Sequence, residues 1–208
     1  MSRGDTPEAV SRVLCNETLL ASRALAEAGG EASFVDEACV RRYLRAMEGD
    51  VEKAVSGIVA TLAWRLQDSP GKRECHMCQE DPHNHNMRIV GCDVQDRPVI
   101  YTCFSQAANR SDVEGGMRHM TRCLEEACEV CASIGSRRTS GPISESYLWI
   151  VDFHGYSFLH DSNPKTALLA ARLTAHYPER LGRAVLLDAP AVFAGTYSAV
   201  RRIINSTT

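Results

Sequence analysis

The densest group of reactive side chains is Cys75-His76-Met77-Cys78, followed by His83 and His85. Two thiolates and two imidazoles this close together suit a zinc ion, which takes four such ligands in a tetrahedron. Cys75, Cys78, His83 and His85 are therefore the predicted ligands, and the zinc would be structural because protein atoms fill every position. The Cys-x-x-Cys half has knuckle spacing. The His-x-His half needs the chain to turn at Asp81-Pro82, and no second Cys-x-x-Cys completes the stronger pattern. A redox dithiol, or a histidine-rich loop with no metal, are the alternatives.

Two other patterns carry less chemistry. Cys131 and Arg137 match Cys-x5-Arg, the loop in which a thiolate faces a phosphate cradle, and they define a remote alternative, a thiol-dependent enzyme. Cys131, however, falls at the end of a predicted helix, where the dipole opposes a thiolate. His154-Gly155 follows an apolar run as an oxyanion turn would, but the Gly-x-Ser-x-Gly elbow of a hydrolase is absent. No glycine-rich phosphate loop occurs either. The expectation is a protein without catalytic activity.

The elements that would position these residues change in kind along the chain. Thr6-Pro7 opens a helix with a capping residue and a proline in the first turn, and apolar positions continue to Gly29-Gly30. Ser33-Phe34-Val35-Asp36 reads as the start of a second helix ending at Gly49, and Asp50 caps a third running to about Arg65. Residues 67–86 are polar and rich in turn formers, which predicts a linker. Strand-like runs then appear at Met87–Cys92, Val99–Phe104, Tyr147–Phe153 and Ala184–Leu187. Helical segments from Ser111 and from Asn163-Pro164 separate them. The fold class is thus α/β, a helical lobe followed by an α/β lobe, divided as residues 1–30, 31–66, 67–86 and 87–208.

Composition narrows the partners. In 208 residues, 23 lysines and arginines face 26 acidic residues, a net charge of −3, too weak a field for nonspecific nucleic-acid binding. No apolar run approaches the ~20 residues of a membrane span, and no signal or transit peptide is visible. The nine cysteines are expected to be mostly free thiols, and the location cytoplasmic, at most peripheral to membranes.

Three stretches resemble one family in order and spacing, the CRAL-TRIO lipid-binding domain. They are Arg42-Tyr43-Leu44-Arg45-Ala46 with Asp50-Val51-Glu52-Lys53-Ala54 and Trp64-Arg65; Asp96-Arg97-Pro98-Val99-Ile100-Tyr101; and a C-terminal set. That set comprises Asp152-Phe153-His154-Gly155, Tyr177-Pro178-Glu179-Arg180-Leu181-Gly182 and Asp188-Ala189-Pro190 with Phe193. The resemblance implies a mixed sheet flooring an apolar pocket, closed by a gate helix over residues 190–205. It also implies a further strand and helices after the gate, so the chain reads as a fragment or a shortened variant. Lipid-contacting positions carried over are Glu179, which would accept bonds from inositol hydroxyls, and Tyr177 beside it. Val192, Phe193, Tyr197, Val200 and Ile204 recur near helical spacing opposite Arg201 and Arg202, as a gate with one apolar and one basic face would. Arg45-Ala46-Met47-Glu48-Gly49 lacks the dibasic pair with which phosphatidylinositol-binding members hold phosphate. The implied function is binding, and transfer through transient membrane contact, of a phospholipid or other hydrophobic molecule. The alternative is a scaffold that keeps the fold without exchanging lipid.

Overall fold

The computed structural model describes residues 4–72, 74–81, 85–106, 112–137, 144–157 and 164–190. They divide into two units, one ending at Ser69 and the other beginning at Pro70.

The first unit is helical. The segment expected as one helix is two, α1 (Pro7–Leu14) and α2 (Glu17–Gly29). The break has a local cause, since the Asn16 side chain accepts bonds from the backbone N–H of Thr18 and Leu19 and so caps a new helix. The next helix, α3 (Glu37–Ala46), starts later than Ser33 suggested, because Asp36 supplies the cap, its Oδ1 accepting from Cys39 N–H at 2.6 Å. Residues Ala32–Phe34 form a 3₁₀ turn instead. Asp50 caps α4 (Val51–Asp68) through Lys53 N–H, as expected. Val13, Leu19, Val40, Tyr43, Leu44, Ala54, Ile58 and Leu62 form the buried centre. Within it the Tyr43 hydroxyl and Thr61 Oγ1 lie 2.6 Å apart, which satisfies the phenol that burial raises far above its ordinary pKa.

The second unit carries a short helix, α5 (His76–Glu80), inside the stretch expected as a linker. Strands β1 (Met87–Cys92) and β2 (Pro98–Cys103) form the predicted antiparallel hairpin. Its turn is built by Asp93, whose carboxylate accepts from the N–H of Gln95 and Arg97 and pairs with the Arg97 guanidinium at 2.6 Å. Helix α6 (Val113–Arg137) follows, with Asp112 accepting from Gly115 N–H at its start. Strand β3 (Tyr147–Asp152), helix α7 (Pro164–Thr174) and strand β4 (Leu181–Leu187) complete the described elements. The sheet order is β1-β2-β3-β4, with β2, β3 and β4 parallel, which makes it mixed. This is the α/β architecture the sequence led us to expect.

Register assigns the two sheet faces, because paired residues share a side and alternate along each strand. Ile100, Trp149 and Ala184 align on one face with Thr102, Val151, Leu186 and Tyr147. This face is turned to α6: Tyr147 is buried, and Cys131 Sγ of that helix lies 3.7 Å from the carbonyl oxygen of the adjacent Ser146. Val99, Leu148, Ile150, Val185 and Leu187 lie on the other face, half-buried or exposed.

Candidate functional site

The motif residues after α7 turn out to hold a turn in place. The Tyr177 hydroxyl donates to Glu125 Oε1 on α6 at 2.7 Å. The Arg180 guanidinium donates to the Glu145 carbonyl at 2.8 Å, and Tyr147 N–H donates to the Arg180 carbonyl at 2.7 Å. Between these anchors Glu179 is exposed and adopts a left-handed backbone, φ 59°. Tyr177 is buried, so its polar tip reaches α6 while its neighbour Glu179 is displayed. Val192, Phe193, Tyr197, Val200 and Ile204 lie outside the described residues.

A second cluster closes the carboxyl ends of β2 and β3. Phe104, Phe153 and Tyr156 pack ring against ring at centroid distances of 5.0–5.4 Å. The Asp152 carboxylate accepts the Tyr101 hydroxyl at 2.6 Å and the His154 N–H at 2.8 Å. Those two donors hold Asp152 below the usual carboxylate range, so it stays ionised. His154 itself is exposed, and its carbonyl accepts from Ser105 N–H. Gly155 explains why the motif ends in glycine. Its φ is +72°, and a Cβ there would stand 2.5 Å from Ser105 Cβ and 3.1 Å from Ser105 Cα. Gly155→Ala is therefore expected to destabilise the protein by ~1–3 kcal/mol. Urea denaturation reads this directly, and an unchanged midpoint would refute the close approach.

The cysteines and histidines separate into those that meet and those that do not. Cys75 is at the cap of α5 and Cys78 one turn on, where Cys78 and Gln79 N–H both donate to the Cys75 carbonyl. His85 precedes β1, beside Asn86, whose carbonyl accepts from Cys103 N–H. Cys75, Cys78 and His85 do converge. The fourth member is His119 on α6, and one donor atom from each of the four lies within 4.8 Å of the others. His83 lies outside the described residues. Burial pushes the Cys78 thiol up to about 11, helped by neighbouring Cys75, and lowers the pKa of both His85 and His119. His119 was missed because it stands far along the chain on another element. Its signal was a histidine on the face of α6 that otherwise buries Met120, Cys123, Leu124, Ala127 and Cys131.

Cys131 does not resemble a nucleophile. It is buried late in α6, 3.7 Å from the Ser146 carbonyl oxygen, and burial raises its thiol to about 11. An activated thiolate needs the opposite shift.

Comparison with known proteins identifies the second unit. A family model described as CRAL/TRIO domain matches residues 83–208, more than half of the chain. The chain belongs to the CRAL/TRIO domain family. A CRAL-TRIO domain-containing protein of Schizosaccharomyces pombe is 26% identical over 86% of this chain and 17% of its own length. The phosphatidylinositol transfer protein PDR17 of Saccharomyces cerevisiae is 25% identical over 77% of this chain and 47% of its own. The phosphatidylinositol transfer protein SFH5 of Phaeosphaeria nodorum is 23% identical over 86% of this chain and 59% of its own. The chain thus spans less than two thirds of each of these relatives. A solved structure of Sfh5 has the same fold, with TM-score 0.60 at 15% identity over 83% of this chain and 61% of that one. Within the CRAL/TRIO match fall the whole sheet, α6, His85 and His119. Cys75 and Cys78 precede it. No described helix is long and apolar enough to cross a membrane.

Proposed function

We propose that this CRAL/TRIO chain binds a phospholipid or similar hydrophobic molecule and exchanges it with membranes through transient contact, without catalysing a reaction. The observation that carries this is the sheet face turned away from α6, where Val99, Leu148, Ile150, Val185 and Leu187 present aliphatic side chains across three strands, with Tyr101, Asp152 and Arg183 as polar positions among them. An acyl chain laid on such a floor gains on the order of 0.8 kcal/mol per CH₂ removed from water. Chain burial would supply affinity and polar groups would choose the headgroup. Glu179, displayed by the Tyr177–Arg180 turn, is the proposed acceptor for headgroup hydroxyls, and Tyr177 positions it through Glu125. Residues Val192, Phe193, Tyr197, Val200 and Ile204 would supply the apolar face of a gate over the floor. Two relatives named as phosphatidylinositol transfer proteins support the same reading.

Transfer of fluorescent phosphatidylinositol and phosphatidylcholine between vesicles tests it. Wild-type protein is expected to accelerate exchange, and Leu187→Asp to slow it at least ~10-fold, because a carboxylate in the floor must be desolvated by the acyl chain. Leu187 is exposed but pairs in register with Asp152, so circular dichroism and a urea midpoint accompany the assay to separate lost exchange from a weakened sheet. Glu179→Ala is expected to slow phosphatidylinositol more than phosphatidylcholine. No exchange of either lipid and no lipid copurifying by mass spectrometry would sink the proposal in favour of a scaffold.

A further inference from the structure

We infer that Cys75, Cys78, His85 and His119 form a closed tetrahedral zinc site that fastens the segment ahead of β1 to helix α6. The inference stands independently of lipid binding. All four residues belong to the second unit, and three of them are nearly inaccessible: Cys75 is 5% exposed, His85 7% and His119 9%.

The donor geometry is close to what zinc requires. Zn–S bonds of ~2.3 Å and Zn–N bonds of ~2.0–2.1 Å place the corners of a tetrahedron about 3.3–3.8 Å apart. Cys78 Sγ and His119 Nδ1 already stand at 3.3 Å. The full set fits within 4.8 Å, so side-chain rotations, including one that turns His85 off the face of His119, bring all four onto one ion. The pair of sulfurs comes from one turn of backbone, and the imidazoles come from two further elements, β1's leading segment and α6. A redox dithiol has no use for two imidazoles converging on it.

The second observation is how the histidines are held. His119 Nε2 lies 2.6 Å from the Met87 carbonyl oxygen, which can only accept. That bond puts the ring proton on Nε2 and leaves the Nδ1 lone pair directed at Cys78, the arrangement in which a second partner fixes the tautomer of a metal ligand. His85 stacks on His119 at 4.6 Å between centroids and 20° between planes. Its Nε2 is buried and has no hydrogen-bond partner among the described residues. A buried ring nitrogen left so is costly, and such groups in native structures have a reason. A metal supplies it. Two thiolates and two neutral imidazoles favour zinc over the hard cations, which want oxygen, and leave no open position for catalysis.

The site differs from the one the sequence spacing suggested, in that His119 takes the fourth place and His83 is not needed. This sets the test. The full chain, purified without chelator, is analysed by native mass spectrometry for metal, with free thiols counted on the same sample. One zinc per chain is expected. Replacing it with Co²⁺ should give the visible bands of a tetrahedral thiolate site, and stripping it should lower the thermal midpoint by about 5 °C or more. His119→Ala and Cys78→Ser are expected to abolish stoichiometric binding, and His83→Ala to retain it. If His119→Ala fails to fold, loss of the Co²⁺ thiolate bands on titrating two thiols of the wild type decides the sulfur half, and His83→Ala the choice of imidazole. A Cys75–Cys78 disulfide, a metal-free chain with intact thiols, or zinc lost in His83→Ala and kept in His119→Ala would each overturn the assignment.

Discussion

Replacing Ile100 by alanine is expected to destabilise the α/β unit by about 2–5 kcal/mol, one of the largest losses available to a single aliphatic truncation. Ile100 is completely buried at the middle of β2, aligned with Ile89 on one side and Trp149 on the other. It lies on the face turned to α6, whose Leu124 is also fully buried. Removing the side chain leaves a cavity that rigid strands on both sides are slow to fill. Ile100→Val removes one methylene and should cost only ~0.5–1.5 kcal/mol. Native-state hydrogen exchange of β2 and α6 amides separates this unit from the helical one, and equal effects of the two substitutions would show that the site collapses instead. The consequence reaches function, because the same strand presents Val99 on the opposite face and the same helix presents His119 near its start. Loosening α6 should weaken retention of the zinc proposed at His119.

What could be read from the sequence follows a physical division. Elements whose signal is local were legible: the Asp50 cap, the β1–β2 hairpin about Asp93–Pro98, and the apolar β3 run all appear where the pattern put them. The α1–α2 break was not, because a single Asn16 side chain overrides an apolar periodicity that continues through it. The start of α3 shows the same competition, with Asp36 capping in place of Ser33. At the candidate metal site, the two cysteines and His85 were legible from spacing alone. His119 was not, since it reaches the others only because α6 packs along β1, a tertiary fact with no sequence period. The Tyr-Pro-Glu-Arg stretch was recognisable as a motif, but spacing could not say that Tyr177 and Arg180 serve as anchors for α6 and the Glu145 carbonyl.

Substituting Arg65 by methionine should give the second large effect, this time in the helical unit. Arg65 Nε donates to Glu31 Oε2 at 2.6 Å, and the two side chains are only 10% and 12% exposed. The guanidinium also lies 4.6 Å above the Phe34 ring. The pair joins the end of α4 to the turn that follows α2, so it closes the helical unit across 34 positions of sequence. Bringing two charges out of water costs several kcal/mol each, which their attraction roughly repays, so the pair contributes little net stability. Removing one partner is different. Arg65→Met deletes the cation, its bond and its contact with Phe34, while the Glu31 carboxylate remains largely shielded from solvent, and the expected loss is ~3–5 kcal/mol. Adding Glu31→Gln to Arg65→Met removes the stranded charge and should recover a large part of that loss. A double-mutant cycle by urea denaturation measures the coupling. Strictly additive losses would mean that Arg65 acts through its packing on Phe34 and its aliphatic stem, with the ion pair contributing nothing of its own.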